Sequence, residues 1–189
     1  MSRNIILCGI GGQGTVLASK LIASAAMDEG MSVMSAETIG MAQRGGSVFS
    51  NLRIGEGIHS PHIGKGCADL IIGFEPGEVV RMLPYLKKDG TVVTNDRIIM
   101  SAHAMLTGFH YDSNEMISFI KDHCGKLITV DGEAAIKELG TAKALNIVLL
   151  GAAVRSGAVG LSEESVLKAM DRMVNKKFEE LNKKAFSLI

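Results

Sequence analysis

An α/β fold, one domain with a mostly parallel sheet and helices on both faces, is predicted by three observations. An apolar run that stops at glycines is followed by a helical pattern and a second apolar run, all before residue 38. Strand-like and helix-like segments then alternate again from residue 68 onward. No repeat, linker or low-complexity stretch divides residues 1–189, so the chain is expected to fold as a single three-layer domain with a Rossmann-like start.

The first run, IILCGI, is short and unalternating, as a strand buried on both faces is. The helix after it is expected from about Gln13 to Asp28, with Val16, Leu17, Leu21, Ile22 and Ala25 at helical spacing and a stop at Gly30. MSVMSAE supplies a second strand ending at Glu37, and strand, helix and strand at this spacing predict a right-handed βαβ unit. Residues 38–67 break the rhythm; within them SVFSNLRIG alternates like a strand with one wetter face.

ADLIIGF reads as a buried strand, and Pro76 suits the first turn of a helix running to about Leu86. Glu75, just before it, is expected to be a helix-start carboxylate. DGTVVTND gives a turn and a strand, a helix is expected from about Asn114 to Cys124, and KLITVD is a further strand. GEAAIKEL is a short helix stopped by Gly140, and ALNIVLLGAAVRSGAV is a buried helix. Ser162 is a plausible cap for one last helix, with Glu163 and Glu164 in its first turn and a solvated far end carrying Lys176, Lys177, Lys183 and Lys184.

Twenty Lys and Arg balance twenty Asp and Glu, so there is no cationic field to hold nucleic acid. A surface of zero net charge has little colloidal repulsion, which points to a face covered by a partner. Cys8, Cys67 and Cys124 are far apart and offer neither a CxxC pair nor the close-set thiolates of an iron–sulfur cluster, so no cluster and no structural zinc is expected on this chain. No leader is recognisable and no run approaches about 18 apolar residues, so a soluble, cytoplasmic protein without membrane contact is expected.

Gly9, Gly11 and Gly14 match G-x-G-x-x-G between a strand and a helix, with Glu37 ending the next strand. That pattern allows a free-standing NAD- or FAD-binding oxidoreductase, and equally a close strand–helix packing. The fuller string GIGGQG adds Gly12 and Gln13, which a dinucleotide site does not require. A second loop, GMAQRGG, places Gln43, Arg44, Gly45 and Gly46 where backbone amides and a guanidinium converge on an anion or on a partner loop. His59 and His62 flank Pro61 without an evident third metal ligand, no G-x-S-x-G nucleophile elbow occurs, and no catalytic residue is assigned.

GIGGQG, GMAQRGGSVFSNLRIG, HSPHIGKGCADLIIGFEPGEVVRMLPYL and NKKFEELNKKAF, in that order and spanning nearly the whole chain, resemble the gamma-type subunits of 2-oxoacid:ferredoxin oxidoreductases, with MAQRGG closest to the indolepyruvate type. The resemblance implies oxidative decarboxylation of a 2-oxoacid with coenzyme A to an acyl-CoA, with electrons passing to ferredoxin. It implies thiamine diphosphate, magnesium and iron–sulfur clusters in such a complex, and this chain lacks the Gly-Asp-Gly start of the family's thiamine site. Those groups are therefore expected on a larger partner subunit, with no cofactor and no metal here. Gly11, Gly12, Gln13, Gly14, Gln43, Arg44, Gly45 and Gly46 are then expected to face the partner's cofactor or coenzyme A.

Overall fold

The chain was studied as a computed structural model that describes residues 2–37, 44–100, 102–108 and 110–189, with only the backbone of 102 and 103. Six strands form one sheet: β1 (Arg3–Ile10), β2 (Ser32–Glu37), β3 (Ser47–Gly55), β4 (Ala68–Gly73), β5 (Leu86–Asn95) and β6 (Lys126–Val130). Their order across the sheet is β2-β3-β1-β4-β5-β6, with β3 antiparallel to both its neighbours and the pairs β1–β4, β4–β5 and β5–β6 parallel.

Eight α-helices accompany them among the described residues: α1 (Thr15–Asp28), α2 (Pro76–Met82), α3 (Ala102–Thr107), α4 (Ser113–Asp122), α5 (Gly132–Leu139), α6 (Leu145–Arg155), α7 (Glu163–Met173) and α8 (Glu179–Phe186). The apolar run of β1 serves two cores at once. Ile5 and Leu7 enter a large core with α1, α6, α7 and α8, while Ile6 and Cys8 enter a smaller one with α2 and α4. A strand between two helical layers has no wet face, which is why its sequence does not alternate.

The expected unit of β1, α1 and β2 forms with one difference. β2 runs in the same direction as β1, but β3 lies between them and pairs with β1 from Arg3↔Ile54 to Ile10↔Ser47. The long connection after β2 lets the chain turn back and fill the slot that a second parallel strand would otherwise occupy. The wetter face expected of β3 is present: Leu52 and Ile54 pack on the α1 side, while Phe49 is 38% exposed on the other. No residue of β2 or β3 belongs to the α2–α4 core, so helical cover on that side stops at β1.

Two helix limits differ from expectation. α2 ends at Met82, and a 3-10 turn (Leu83–Tyr85) leads directly into β5, which therefore begins at Leu86. The single terminal helix is two, because Val174 is extended and Asn175 caps a new turn by accepting from the Lys177 N–H. Ser162 caps α7 through the Ser165 N–H at 3.1 Å, and Gly140 ends α5 with φ of 70°, both as the residues predict.

Candidate functional site

β1 and β4 are parallel neighbours, but the chain leaves β1 toward β2 and leaves β4 toward β5. Strand order therefore reverses between their C-terminal ends, the place where open α/β sheets form a crevice. The loop Gly11–Gly14 after β1 and the loop Phe74–Glu75 after β4 meet there.

Gln13 turns inward and joins the two. Its Oε1 accepts from the Ile10 N–H at 2.5 Å, and its Nε2 donates to the Phe74 carbonyl at 2.6 Å. The same carbonyl accepts from Asn95 Nδ2 at 2.7 Å, so one oxygen ties the ends of β1, β4 and β5. Gly9 is required by this arrangement, since a Cβ there would stand 2.7 Å from Gln13 Oε1 and 2.9 Å from Phe74 Cβ. Gly14 caps α1 with φ of 86° against the Asn146 side chain, whereas Gly12, with φ of 105°, has open space around it.

The two glycine loops are bonded to each other. Gly11 N–H donates to the Gly46 carbonyl at 2.8 Å, and Gly45 N–H donates to the Gly11 carbonyl at 3.2 Å, which extends the β1–β3 ladder beyond the sheet. Arg44 is exposed beside them, and Gln43 lies outside the described residues. The result is one ridge carrying Gly11, Gly12, Gly45, Gly46 and Arg44. The structure thus brings together every described residue expected at this site, with the Gln13 side chain facing inward.

Below the ridge sit two buried acids. Glu75 caps α2 by accepting from the Glu78 N–H at 2.9 Å, as expected of a helix-start carboxylate, and accepts from the Tyr111 hydroxyl at 2.8 Å. Glu78 accepts from Ser47 Oγ at 2.5 Å and pairs with Arg81 Nε at 3.4 Å, which fastens the second loop to α2. Burial pushes the Glu75 carboxyl above its ordinary value, against the opposing pull of the Tyr111 and Glu78 hydrogen bonds. Burial, then the carboxylates of Glu78 and Glu75, raises the Cys8 thiol well above its ordinary value, which removes it as a nucleophile.

The ridge separates two grooves. One, of about 380 Å³, runs along Gly12, Thr15 and Val48 at the start of α1. The other, of about 170 Å³, is lined by Gly12, Gln13, Arg97, Lys143 and Asn146. Sequence reasoning missed Arg97 and Lys143: they lie 46 positions apart in unremarkable loops, and only the fold brings them together. Chemically this edge offers backbone amides, the N-terminus of a 14-residue helix and nearby cations, a combination that suits an anion.

The described residues do not supply the ligand set of an iron–sulfur cluster. Cys8 is sealed in β1 while Cys67 is exposed, and among the described residues no three His, Cys, Asp or Glu side chains converge as a metal site. A dinucleotide site fits poorly as well, because its ribose acid must end the strand beside β1. Here Glu37 is two strands away, roughly 10 Å at the usual strand spacing. No described helix is long and apolar enough to cross a membrane.

Comparison with known proteins agrees with this organisation. The chain is 37% identical over 187 residues to the indolepyruvate oxidoreductase subunit IorB of Pyrococcus horikoshii, covering 98% of this chain and 93% of that one. It is 35% identical to the subunit of the same name from Methanothermobacter thermautotrophicus, covering 98% and 95%. The fold is shared with the gamma subunit of a keto/oxoacid ferredoxin oxidoreductase from Geobacter sulfurreducens at a TM-score of 0.71 and 24% identity, covering 98% and 95%. With residues 4–189 also matching the family described as pyruvate ferredoxin/flavodoxin oxidoreductase, the chain belongs to that family.

Proposed function

We propose that this chain is the small, non-redox subunit of a cytoplasmic 2-oxoacid:ferredoxin oxidoreductase of the indolepyruvate type, its whole length acting as one gamma-type domain. With a larger subunit it takes part in oxidative decarboxylation of a 2-oxoacid with coenzyme A, giving an acyl-CoA, carbon dioxide and reduced ferredoxin. Thiamine diphosphate, magnesium and the iron–sulfur clusters belong to that larger subunit on this reading, consistent with the scattered cysteines here. This chain's own contribution is to bind and position. Arg44 supplies positive charge, and the amides beside it supply donors, to the partner's cofactor or to coenzyme A.

The supporting observation is the ridge itself: two glycine loops bonded through Gly11, Gly45 and Gly46 at the sheet's switch point, with an exposed arginine beside them. Reconstitution with the larger subunit tests it. The complex is expected to turn over an arylpyruvate with coenzyme A while the purified small chain does not, and turnover by the small chain alone would refute the reading. Arg44→Ala is expected to reduce activity of the assembled complex by at least about tenfold with the melting temperature unchanged. Unchanged activity would remove Arg44 from the role.

A further inference from the structure

At β2 and β3, whose described residues do not join the α2–α4 core, the sheet face holds a groove of about 420 Å³ that shares Phe49 with the groove beside the glycine ridge. Its volume is that of a small-molecule pocket. Apolar surface comes from Ile6, Phe49, Ile63 and Met82, and His62 and Tyr85 also line the walls. Into this surface projects Asn51, which keeps only 9% of its surface exposed. Both of its cross-strand neighbours, Ile6 and Ala36, are apolar.

The Asn51 side chain has no hydrogen-bond partner among the described residues, yet no polar side-chain atom is sealed from solvent without one. Its amide therefore looks into the groove. A buried amide with an unfilled donor and an unfilled acceptor is unfavourable unless something in the cavity satisfies both. Two residues further along β3, Arg53 donates through Nε to Asn4 Oδ1 and through Nη1 to the Ser60 carbonyl, both at 2.9 Å. Among the described residues the lining holds the Glu37 carboxylate and the His62 ring and neither Lys nor Arg, so an anion would meet no permanent cation there.

We propose that this groove binds an amino-substituted nitrogen heteroaromatic ring of the adenine type, read by the Asn51 amide. The exocyclic amine donates to Asn51 Oδ1 and the adjacent ring nitrogen accepts from Nδ2, the pairing that an amide makes with adenine. Phe49 and Ile6 supply an apolar surface for the ring, and Glu37 favours an amine over a carbonyl nearby. This site is independent of the proposed role of the glycine ridge, and its test does not require the larger subunit.

Titration of the purified chain with adenosine, followed by the ¹H–¹⁵N signals of the Asn51 side-chain amide, decides the matter. Binding with a Kd below about 1 mM is expected, with inosine at least about tenfold weaker and ADP no tighter than adenosine. Asn51→Leu is expected to abolish binding while leaving the ligand-free melting temperature at or above that of the parent, since it replaces an unsatisfied amide by an apolar group of similar size. Should the leucine variant fold poorly, Asn51→Asp retains the acceptor, loses the donor, and is expected to weaken binding at least about tenfold. Silence of the Asn51 signals at about 5 mM adenosine, or equal binding by Asn51→Asp, would overturn the proposal.

Discussion

Two helices begin side by side at the switch point, and they are finished in opposite ways. α2 starts with a capping carboxylate, a second acid in its first turn, and hydrogen bonds from Tyr111 and Ser47. α1 starts at a left-handed glycine, with no side-chain cap and no acid in its first turn. An acid there would compete with any anion for the same amides. The α2 start is a joint that holds the structure together; the α1 start is left open beside a groove and an arginine. Saturation and openness at adjacent strand ends separate what supports the site from what is proposed to face a partner.

The largest expected effect comes from closing the open start. Gly14→Ala forces a side chain into a positive-φ position and against Asn146, and is expected to lower unfolding free energy by about 3 kcal/mol in urea titrations. Gly12→Ala shares the positive φ but meets open space, so it should lower it by about 1–2 kcal/mol. Equal losses at the two positions would show that Asn146 packing is irrelevant. Next in size is Gln13→Leu, which leaves the Ile10 N–H and the Phe74 carbonyl short of one partner each and is expected to lower stability by about 2 kcal/mol.

At the saturated start, Glu75→Gln should lower stability by about 1 kcal/mol at neutral pH or less, with a change in pH dependence as the sharper signature. The folded-state pKa of Glu75 is raised, so the folded chain holds this proton more tightly than the unfolded chain does. The stability it contributes is complete below the ordinary carboxylate value and is lost as pH rises through the raised value. Glu75→Gln should therefore flatten the plot of unfolding free energy against pH in that window. The smallest stability effect belongs to exposed Arg44, where Arg44→Ala should stay within about 0.5 kcal/mol while complex activity falls.

Much of this was readable before the structure. The glycine-stopped run of β1, the proline and acid that open α2, and the caps at Ser162 and Gly140 are local signals, and local signals survive folding. Four features were not readable, each because it depends on residues far apart in sequence. Nothing in SVFSNLRIG says that it pairs with β1 on one side and β2 on the other. The inward turn of Gln13 depends on a carbonyl 61 positions away, and Arg97 and Lys143 share a groove only because β5 ends and α6 begins at the same edge. Asn51 reads as one polar residue in an alternating strand; its isolation from partners is a property of the uncovered face.

The insertion of β3 between β1 and β2 also sets the order in which the molecule can come apart. β2 is an edge strand bonded only to β3, so it has no route to remain paired once β3 leaves β1. β2 and β3 should then open as one unit in native-state hydrogen exchange, ahead of β1, β4 and β5, which keep their parallel pairings and both helical layers. Because Gly45 and Gly46 continue from β3, that same opening would dissolve the glycine ridge. The surface proposed to face a partner is thus mounted on an edge pair of the sheet, and docking on it should slow exchange across all of β2 and β3 together.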